Sequence, residues 1–250
     1  LFSPYVNFRP YSKFETWCAV NFTSCFPSFS DNVELNNRVC YTNRKETSIF
    51  ADKKILIIGG GPSTLSFDLS LVEQYDHIWS MNHFFKNSEL KKIKLSLIAL
   101  SPENDLLDRE LNSYIQEFDP LIGFEPRARW RIPIESSRAK QFSNDKRCFS
   151  FMTYYGGKNG VGSRLINLAS EFGAKEVSFI GLDGIPKIFD KVHAFEKGKA
   201  TLPSGVNEGN AYEVCKKHYE LFWLKMKEDY PNTMYISLQE TNDFHDPYIK

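Results

Sequence analysis

The chain has 250 residues and carries 31 basic and 31 acidic side chains, so that its formal net charge is zero. A neutral chain lacks the overall positive field that attracts nucleic acid, and its apolar runs stay below the roughly 18 residues that a membrane-spanning helix needs. Aromatic residues make up 15% of the sequence, which is typical of a packed globular protein. The length predicts one domain, or one domain with an appendage.

Residues 1–50 differ from the rest because they are rich in Phe, Tyr, Ser, Pro and Asn and show neither strand nor helix periodicity. We expect an irregular N-terminal extension, or a linker from a preceding domain of a longer chain, before a main domain over residues 51–250. The five cysteines are an odd number without a C-x-x-C pair, which is typical of buried thiols in a reducing compartment. This composition favours a cytoplasmic location, including the periphery of a membrane.

From Ala51 onward, short apolar runs alternate with amphipathic helical patterns. Strands are predicted at Lys54–Ile58, His77–Met81, Leu95–Leu100, Cys148–Met152, Glu176–Gly181 and Thr233–Leu238, and helices at Ser63–Gln74, Glu103–Phe118, Val161–Phe172 and Asn207–Asp229. This alternation predicts an α/β fold, a Rossmann-like open, mainly parallel sheet with helices on both faces. Residues 123–147 break the alternation with seven basic and three acidic side chains, and such an insertion is often a lid or simply a solvated surface.

The first predicted strand is followed at once by Gly59, Gly60, Gly61, Pro62 and Ser63. A strand, a glycine turn and a helix start direct unpaired N–H groups at one point, which predicts an anion site. The turn lacks the third glycine of a dinucleotide fingerprint, no acidic residue ends the second strand, and no Gly-Lys-Ser/Thr of a Walker loop follows. The pattern therefore favours a nucleotide other than a dinucleotide, with a ligand-free tight connection as the alternative.

Further polar residues follow the carboxyl ends of the other predicted strands, where ligands bind in this fold class. They are Asn82 and His83 after the second strand, Asp183 after the fifth, and His193 and Glu196 about ten residues later. A second glycine-rich turn, with Gly160, Gly162 and Ser163, opens the third predicted helix. Two glycine-rich helix starts that face one crevice would suit the phosphate and the sugar of a nucleotide sugar.

In order and spacing, the segments Ile57–Ser63, Met81–Phe85, Gly160–Ser163 and Lys175–Asp183 resemble bacterial sialyltransferases of glycosyltransferase family 42. They equally resemble flagellin-modifying glycosyltransferases and the archaeal hydroxymethylpterin pyrophosphokinase, over about residues 52–196. The resemblance implies that residues 51–250 form a nucleotide-sugar-binding catalytic domain acting on a glycan acceptor. It implies a cytidine monophosphate (CMP) sugar, bound as a substrate and not as a cofactor, at Gly59, Gly60, Gly61, Ser63 and Asn82, with Gly160, Gly162 and Ser163 near its phosphate or sugar.

Metal-independent transfer is the expected mechanism, because the sequence has neither an Asp-x-Asp element nor a compact cluster of metal-ligand type. The sequence leaves open whether the transfer inverts or retains the sugar configuration. Inverting transfer needs a general base on the acceptor hydroxyl, and histidine suits this role near neutral pH. His193 is the first candidate and His83 the second, while Asp183 could orient the acceptor. Two alternatives stay open: a Mg²⁺-dependent pyrophosphokinase with Asp183 and Glu103 as ligands, and a non-catalytic module of a larger glycan-building protein.

Overall fold

The computed structural model describes residues 49–100, 108–124, 148–150, 160–185, 193–196, 209–240, 244–245 and 247–249. The N-terminal extension up to residue 48 and the predicted lid beyond Phe124 lie outside these ranges, and so does Glu103. Within the described ranges, we find no helix with the length and apolar character needed to cross a membrane.

In the described part of the chain, seven strands form a single sheet. They are β1 (Lys54–Ile58), β2 (His77–Met81), β3 (Leu97–Leu100), β4 (Leu121–Phe124), β5 (Cys148–Ser150), β6 (Glu176–Ile180) and β7 (Met234–Ser237). Their order is β5-β4-β3-β2-β1-β6-β7, and every neighbouring pair is parallel. The predicted Rossmann-like open parallel sheet is therefore confirmed.

An interior strand of the sheet, β1, pairs with β2 on one side and with β6 on the other. Its last four residues, Ile55–Ile58, are fully buried, as expected for a strand that is covered on both faces. Phe50, the last residue of the predicted extension, is also fully buried, and its ring stacks on Phe172 and meets Trp79 edge-on. The described end of the extension is thus part of the core.

Three α-helices accompany the sheet in the described residues: α1 (Arg109–Phe118), α2 (Gly160–Glu171) and α3 (Ala211–Asp229). The first begins six residues later than predicted. The carboxylate of Asp108 accepts hydrogen bonds from the N–H groups of Glu110 and Leu111, and Asp108 itself has a non-helical backbone. A side-chain cap of this kind fixes the start of a helix, so the predicted helix cannot run unbroken from Glu103.

The end of α2 lies within one residue of the end of the predicted helix Val161–Phe172, and Gly173 caps it. Gly173 has a φ of 82°, its N–H donates to the carbonyl of Ser170, and the N–H of Ala174 donates to the carbonyl of Ala169. These two bonds form a Schellman motif, which requires the left-handed backbone that glycine adopts without strain.

The helix predicted at Ser63–Gln74 is wrong. The segment forms two short 3₁₀-helices, Pro62–Leu65 and Leu69–Gln74, because Asp68 has an extended backbone and its side chain accepts from the N–H of Ser70. Serine, threonine and aspartate side chains that bond to nearby backbone groups compete with a continuous α-helix. Consequently, no α-helix N-terminus follows the triple-glycine turn.

The sequence analysis predicts no element at β4, which follows α1 after only two residues. Asp119 ends α1 with a left-handed φ of 51° and Pro120 prevents its continuation, so that the chain enters Leu121–Phe124 directly. This four-residue run is too short to be recognised by periodicity, and its pairing with β3 establishes it as a strand.

Candidate functional site

The direction in which successive strands are added to the sheet reverses between β1 and β6. The chain builds the sheet outward from β1 through β2, β3, β4 and β5, and then returns to place β6 on the other side of β1. In open parallel sheets, ligands bind in the crevice at such a switch point, beyond the carboxyl ends of the strands. The predicted turn at Gly59–Ser63 and the segment Gly181–Asp183, which follows β6, lie side by side at this position.

The backbone of the glycine turn is hydrogen-bonded to the last residue of β6 and to the loop that follows it. The N–H of Gly59 donates to the carbonyl of Ile180, and the N–H of Gly61 donates to the carbonyl of Gly181, both at 2.8 Å. These two amides were expected to be unpaired and directed at an anion, and that expectation is wrong. The end of β6 and the loop after it supply the two acceptors, which the sequence could not show.

Ser63 and Asp183 connect the same two loops through their side chains. The Ser63 hydroxyl accepts from the N–H of Gly181 at 2.9 Å and donates to Oδ2 of Asp183 at 3.0 Å, while the N–H of Ser63 donates to the same oxygen at 3.2 Å. Oδ1 of Asp183 accepts from Nε2 of Gln239 at 3.2 Å, just beyond β7. Burial raises the pKa of Asp183, and the hydrogen bonds from Ser63 and Gln239 oppose that rise.

Several predicted donor-binding glycines are needed for close packing. A Cβ atom on Gly61 would overlap the Asp183 carboxylate, and a Cβ atom on either Gly59 or Gly162 would overlap the side chain of Leu182. Leu182 is 7% exposed and lies against both of these glycines. The two glycine-rich segments therefore meet at the switch point, and a leucine side chain fills the space between Gly59 and Gly162.

The predicted second turn is mostly buried. Gly162 and Ser163 are buried, and the Ser163 hydroxyl donates to the carbonyl of Gly160, which is itself exposed. A role of these three residues in donor binding stays a prediction. In the conformation described, Gly160 is the one of the three that a ligand could contact from solution.

His245 supports the loop after β6 from within the core. Its Nδ1 accepts from the indole N–H of Trp223 at 3.0 Å, and its Nε2 donates to the carbonyl of Leu182 at 2.8 Å. The ring is fully buried, and burial lowers the pKa of His245 to about 4. A neutral imidazole thus holds the backbone of Leu182 in place.

The segment 193–196 crosses the ends of β1 and β2. The N–H of Ala194 donates to the carbonyl of Gly60 at 2.8 Å, and Nδ2 of Asn87 donates to the carbonyl of Ala194 at 3.2 Å. The ring of His193 lies over Gly60, with Nε2 at 2.7 Å from where a Cβ atom on that residue would stand. This segment brings His193 to the glycine turn.

His193 has one ring nitrogen that can only accept. Its Nδ1 lies 3.2 Å from the backbone nitrogens of Phe195 and Glu196, and both N–H groups donate to it. The proton of the neutral ring is therefore assigned to Nε2, on the side that faces Gly60. In this geometry Nε2 is a hydrogen-bond donor, which suits stabilisation of an anion better than removal of a proton.

His83 has the opposite arrangement. Its Nδ1 lies 2.6 Å from Oε2 of Glu196, and the other oxygen of this carboxylate accepts from Nζ of Lys86 at 3.3 Å. The His83 side chain is 25% exposed and that of Glu196 is 19% exposed. Sequence reasoning noted Glu196 only as a neighbour of His193 and did not consider Lys86. Neither position carries a signal for this contact, because it joins residues more than a hundred positions apart.

Asn82 shapes the turn that presents His83. It follows β2 with a left-handed φ of 49°, and its N–H donates to the carbonyl of Ala99 at 2.8 Å. Asparagine is among the few residues that tolerate this backbone conformation. The next two aromatic residues, Phe84 and Phe85, are buried, which leaves Asn82 and His83 half-buried at the edge of the crevice.

The described residues can be searched for side chains that could bind a metal ion. Within the ranges described above, we find no group of three or more His, Cys, Asp or Glu side chains placed to hold a metal ion. Both carboxylate oxygens of Asp183, a ligand in the Mg²⁺-dependent alternative, already accept hydrogen bonds from Ser63 and Gln239.

Cys215, the cysteine whose side chain the structure describes, is a buried free thiol, as expected.

An open parallel sheet with a glycine turn at its switch point defines a Rossmann-like α/β protein. No family model matches this sequence, and no curated protein matches it. Among solved structures, the chain is similar to the sialyltransferase CstII from Campylobacter jejuni in complex with the substrate analogue CMP-3FNeuAc. The TM-score is 0.51 at 16% identity, over 79% of this chain and 86% of that one.

It is also similar to the monofunctional alpha-2,3-sialyltransferase Cst-I from Campylobacter jejuni, with a TM-score of 0.51 at 14% identity, over 78% of this chain and 79% of that one. At these identities the likeness establishes a shared fold. The chain therefore has a sialyltransferase-like fold, in agreement with the resemblance noted in its sequence.

Proposed function

We propose that this protein is a glycosyltransferase that takes a sugar from a CMP-linked donor and attaches it to a hydroxyl group of a glycan acceptor. The observation that carries this proposal is the meeting of Gly60, His83 and His193 at the carboxyl ends of β1 and β2. These residues are far apart in the sequence, yet the segment 193–196 contacts both of the others. The fold shared with the sialyltransferases CstII, which was solved in complex with CMP-3FNeuAc, and Cst-I supports the same conclusion.

The donor phosphate is proposed to lie beside Gly60 and Asn82, with the Nε2–H of His193 directed at it. A neutral N–H donor fixed by two backbone bonds stabilises developing negative charge without having to reorient, which is the main requirement for releasing a monophosphate. Gly59, Gly61 and Ser63 would then act chiefly by holding this turn against the loop after β6. The reaction in this form needs no metal ion, so metal independence is part of the proposal.

A nucleotide-binding assay tests the proposal. We expect CMP to raise the melting temperature of the protein in the absence of Mg²⁺, because a ligand at about 100 times its Kd adds about 2.7 kcal/mol to the free energy of unfolding. UMP and GMP at equal concentration are the matched ligands that report base selectivity. Stabilisation by ATP only with Mg²⁺ would support the pyrophosphokinase, and no stabilisation by any nucleotide would refute the proposed function.

A further inference from the structure

We propose that His83 is the general base of this transfer and that Glu196 is the residue that positions it. The inference rests on the proposed function and assigns a role to a contact between the end of β2 and the segment 193–196. The distance of 2.6 Å between Nδ1 of His83 and Oε2 of Glu196 is that of a charge-assisted hydrogen bond. Lys86 holds the second oxygen of the carboxylate at 3.3 Å and limits its rotation.

The contact with Glu196 decides which nitrogen of His83 can take a proton. An ionised carboxylate only accepts hydrogen bonds, so Nδ1 of His83 must carry the proton in the neutral ring. Nε2 of His83 then carries the lone pair. While the ring is neutral, any group that forms a hydrogen bond with Nε2 must be a donor, such as a hydroxyl. A histidine whose tautomer is fixed by a carboxylate is the arrangement that activates a hydroxyl in nucleophilic catalysis.

The segment 193–196 fixes both histidines in complementary forms. Glu196 accepts from His83 through its side chain, while its backbone N–H donates to Nδ1 of His193. His83 thus keeps a lone pair on Nε2, and His193 keeps a proton on Nε2. One ring is prepared to accept a proton from the acceptor, and the other to donate a hydrogen bond to the departing phosphate.

In the proposed step, the acceptor oxygen forms a bond to the anomeric carbon as the bond from that carbon to the phosphate oxygen breaks. The electron pair of the broken bond leaves with CMP, and the proton of the acceptor hydroxyl moves to Nε2 of His83. The resulting imidazolium is stabilised by the Glu196 carboxylate and later passes its proton to water, which reaches a side chain that is 25% exposed.

The tautomers can be measured without turnover. Long-range proton–nitrogen spectra resolve the imidazoles of the five histidines, and single substitutions assign them. We expect a proton on Nδ1 of His83 and on Nε2 of His193. Glu196→Gln keeps an accepting oxygen and should preserve the His83 form, whereas Glu196→Ala should abolish it. A proton on Nε2 of His83 in the unaltered protein would overturn the inference.

Turnover provides the second test, with CMP-N-acetylneuraminate as probe donor and release of CMP as the measurement. His83→Gln should lower kcat by about 10²-fold or more, the usual contribution of a general base, while CMP binding changes little. Glu196→Ala should lower kcat more than Glu196→Gln does. His77→Asn is the matched control, because His77 begins the strand that His83 follows and lies at the opposite end of β2.

The outcomes separate the two proposals. If the protein binds CMP and His83→Gln turns over within about threefold of the unaltered enzyme, far less than a general base contributes, the assignment of His83 fails and the proposed function stands. If the unaltered protein neither binds CMP nor releases it from the probe donor, the proposed function fails and the assignment fails with it.

Discussion

Acidification should destabilise this protein through His245, and substitution of His245 should remove most of that effect. The ring is fully buried between Trp223 and the carbonyl of Leu182, with a pKa lowered to about 4 from the ordinary value of 6.5. Above about pH 6.5 the ring is neutral in both the folded and the unfolded chain, and its stabilising contribution is complete. Below that pH the unfolded chain binds a proton that the folded chain excludes.

The size of the effect follows from the two pKa values. They differ by about 2.5, and each pKa unit corresponds to about 1.36 kcal/mol, so the full loss below pH 4 is about 3 kcal/mol. Between about pH 7 and pH 5, the same linkage predicts a loss of about 2 kcal/mol. The carboxylates with lowered pKa values, such as Asp76 and Glu89, lose their contribution at lower pH than this window.

Urea unfolding at both pH values, followed by tryptophan fluorescence, measures this loss. We expect His245→Asn to be less stable than the unaltered protein at pH 7, because the bond to Leu182 is lost, and to show a much smaller difference between the two pH values. His77→Asn is the control, because burial also lowers the pKa of His77 but its ring is only half-buried. An unchanged pH dependence in His245→Asn would refute the reasoning.

Two further predictions concern the contacts at the switch point. Asp183→Asn should change the free energy of unfolding at pH 7 by less than about 1 kcal/mol, because burial disfavours the charge that this substitution removes. Asp183→Ala should lower the free energy of unfolding by about 2 kcal/mol or more, because it leaves the donors of Ser63 and Gln239 unpaired. Since the pKa of Asp183 is raised, its contribution falls as the pH rises from 3.8 through that pKa, and this part of the pH profile should vanish in Asp183→Asn. Gly162→Ala should lower the free energy of unfolding, measured with urea, by about 1–3 kcal/mol, because the new methyl group overlaps Leu182. The same substitution should also weaken CMP binding. An unchanged urea midpoint would contradict the stability prediction and show that Leu182 moves aside without cost.

The glycine turn has a different role from the one its pattern suggests. The amides of Gly59 and Gly61 donate to the carbonyls of Ile180 and Gly181. Because glycine has no side chain, the turn leaves room for Leu182 and Asp183. The turn thus closes the inner part of the crevice and leaves its outer edge, at Gly60, for the ring of His193. A ligand of this site would therefore be recognised mainly by side chains at that edge.

The sequence by itself determined the fold class and the loops in which to look for a site. Buried apolar runs such as Lys54–Ile58 and Glu176–Ile180 specify strands that are covered on both faces, and the helical pattern before Gly173 specifies α2 with its cap. These are local signals, because burial and capping depend on residues a few positions apart. The rule that ligands bind at the carboxyl ends of parallel strands then selected loops that the structure brings together at the switch point.

Tertiary structure decided which groups within those loops are engaged and in which form. The acceptors of the Gly59 and Gly61 amides, the bond between Ser63 and Asp183, and the pairing of His83 with Glu196 all join residues more than a hundred positions apart. β4 was missed for a related reason, since four residues become a strand only through a neighbour to pair with. A hydrogen bond depends on angstrom-scale distances between distant segments, and local sequence patterns carry no information about those distances.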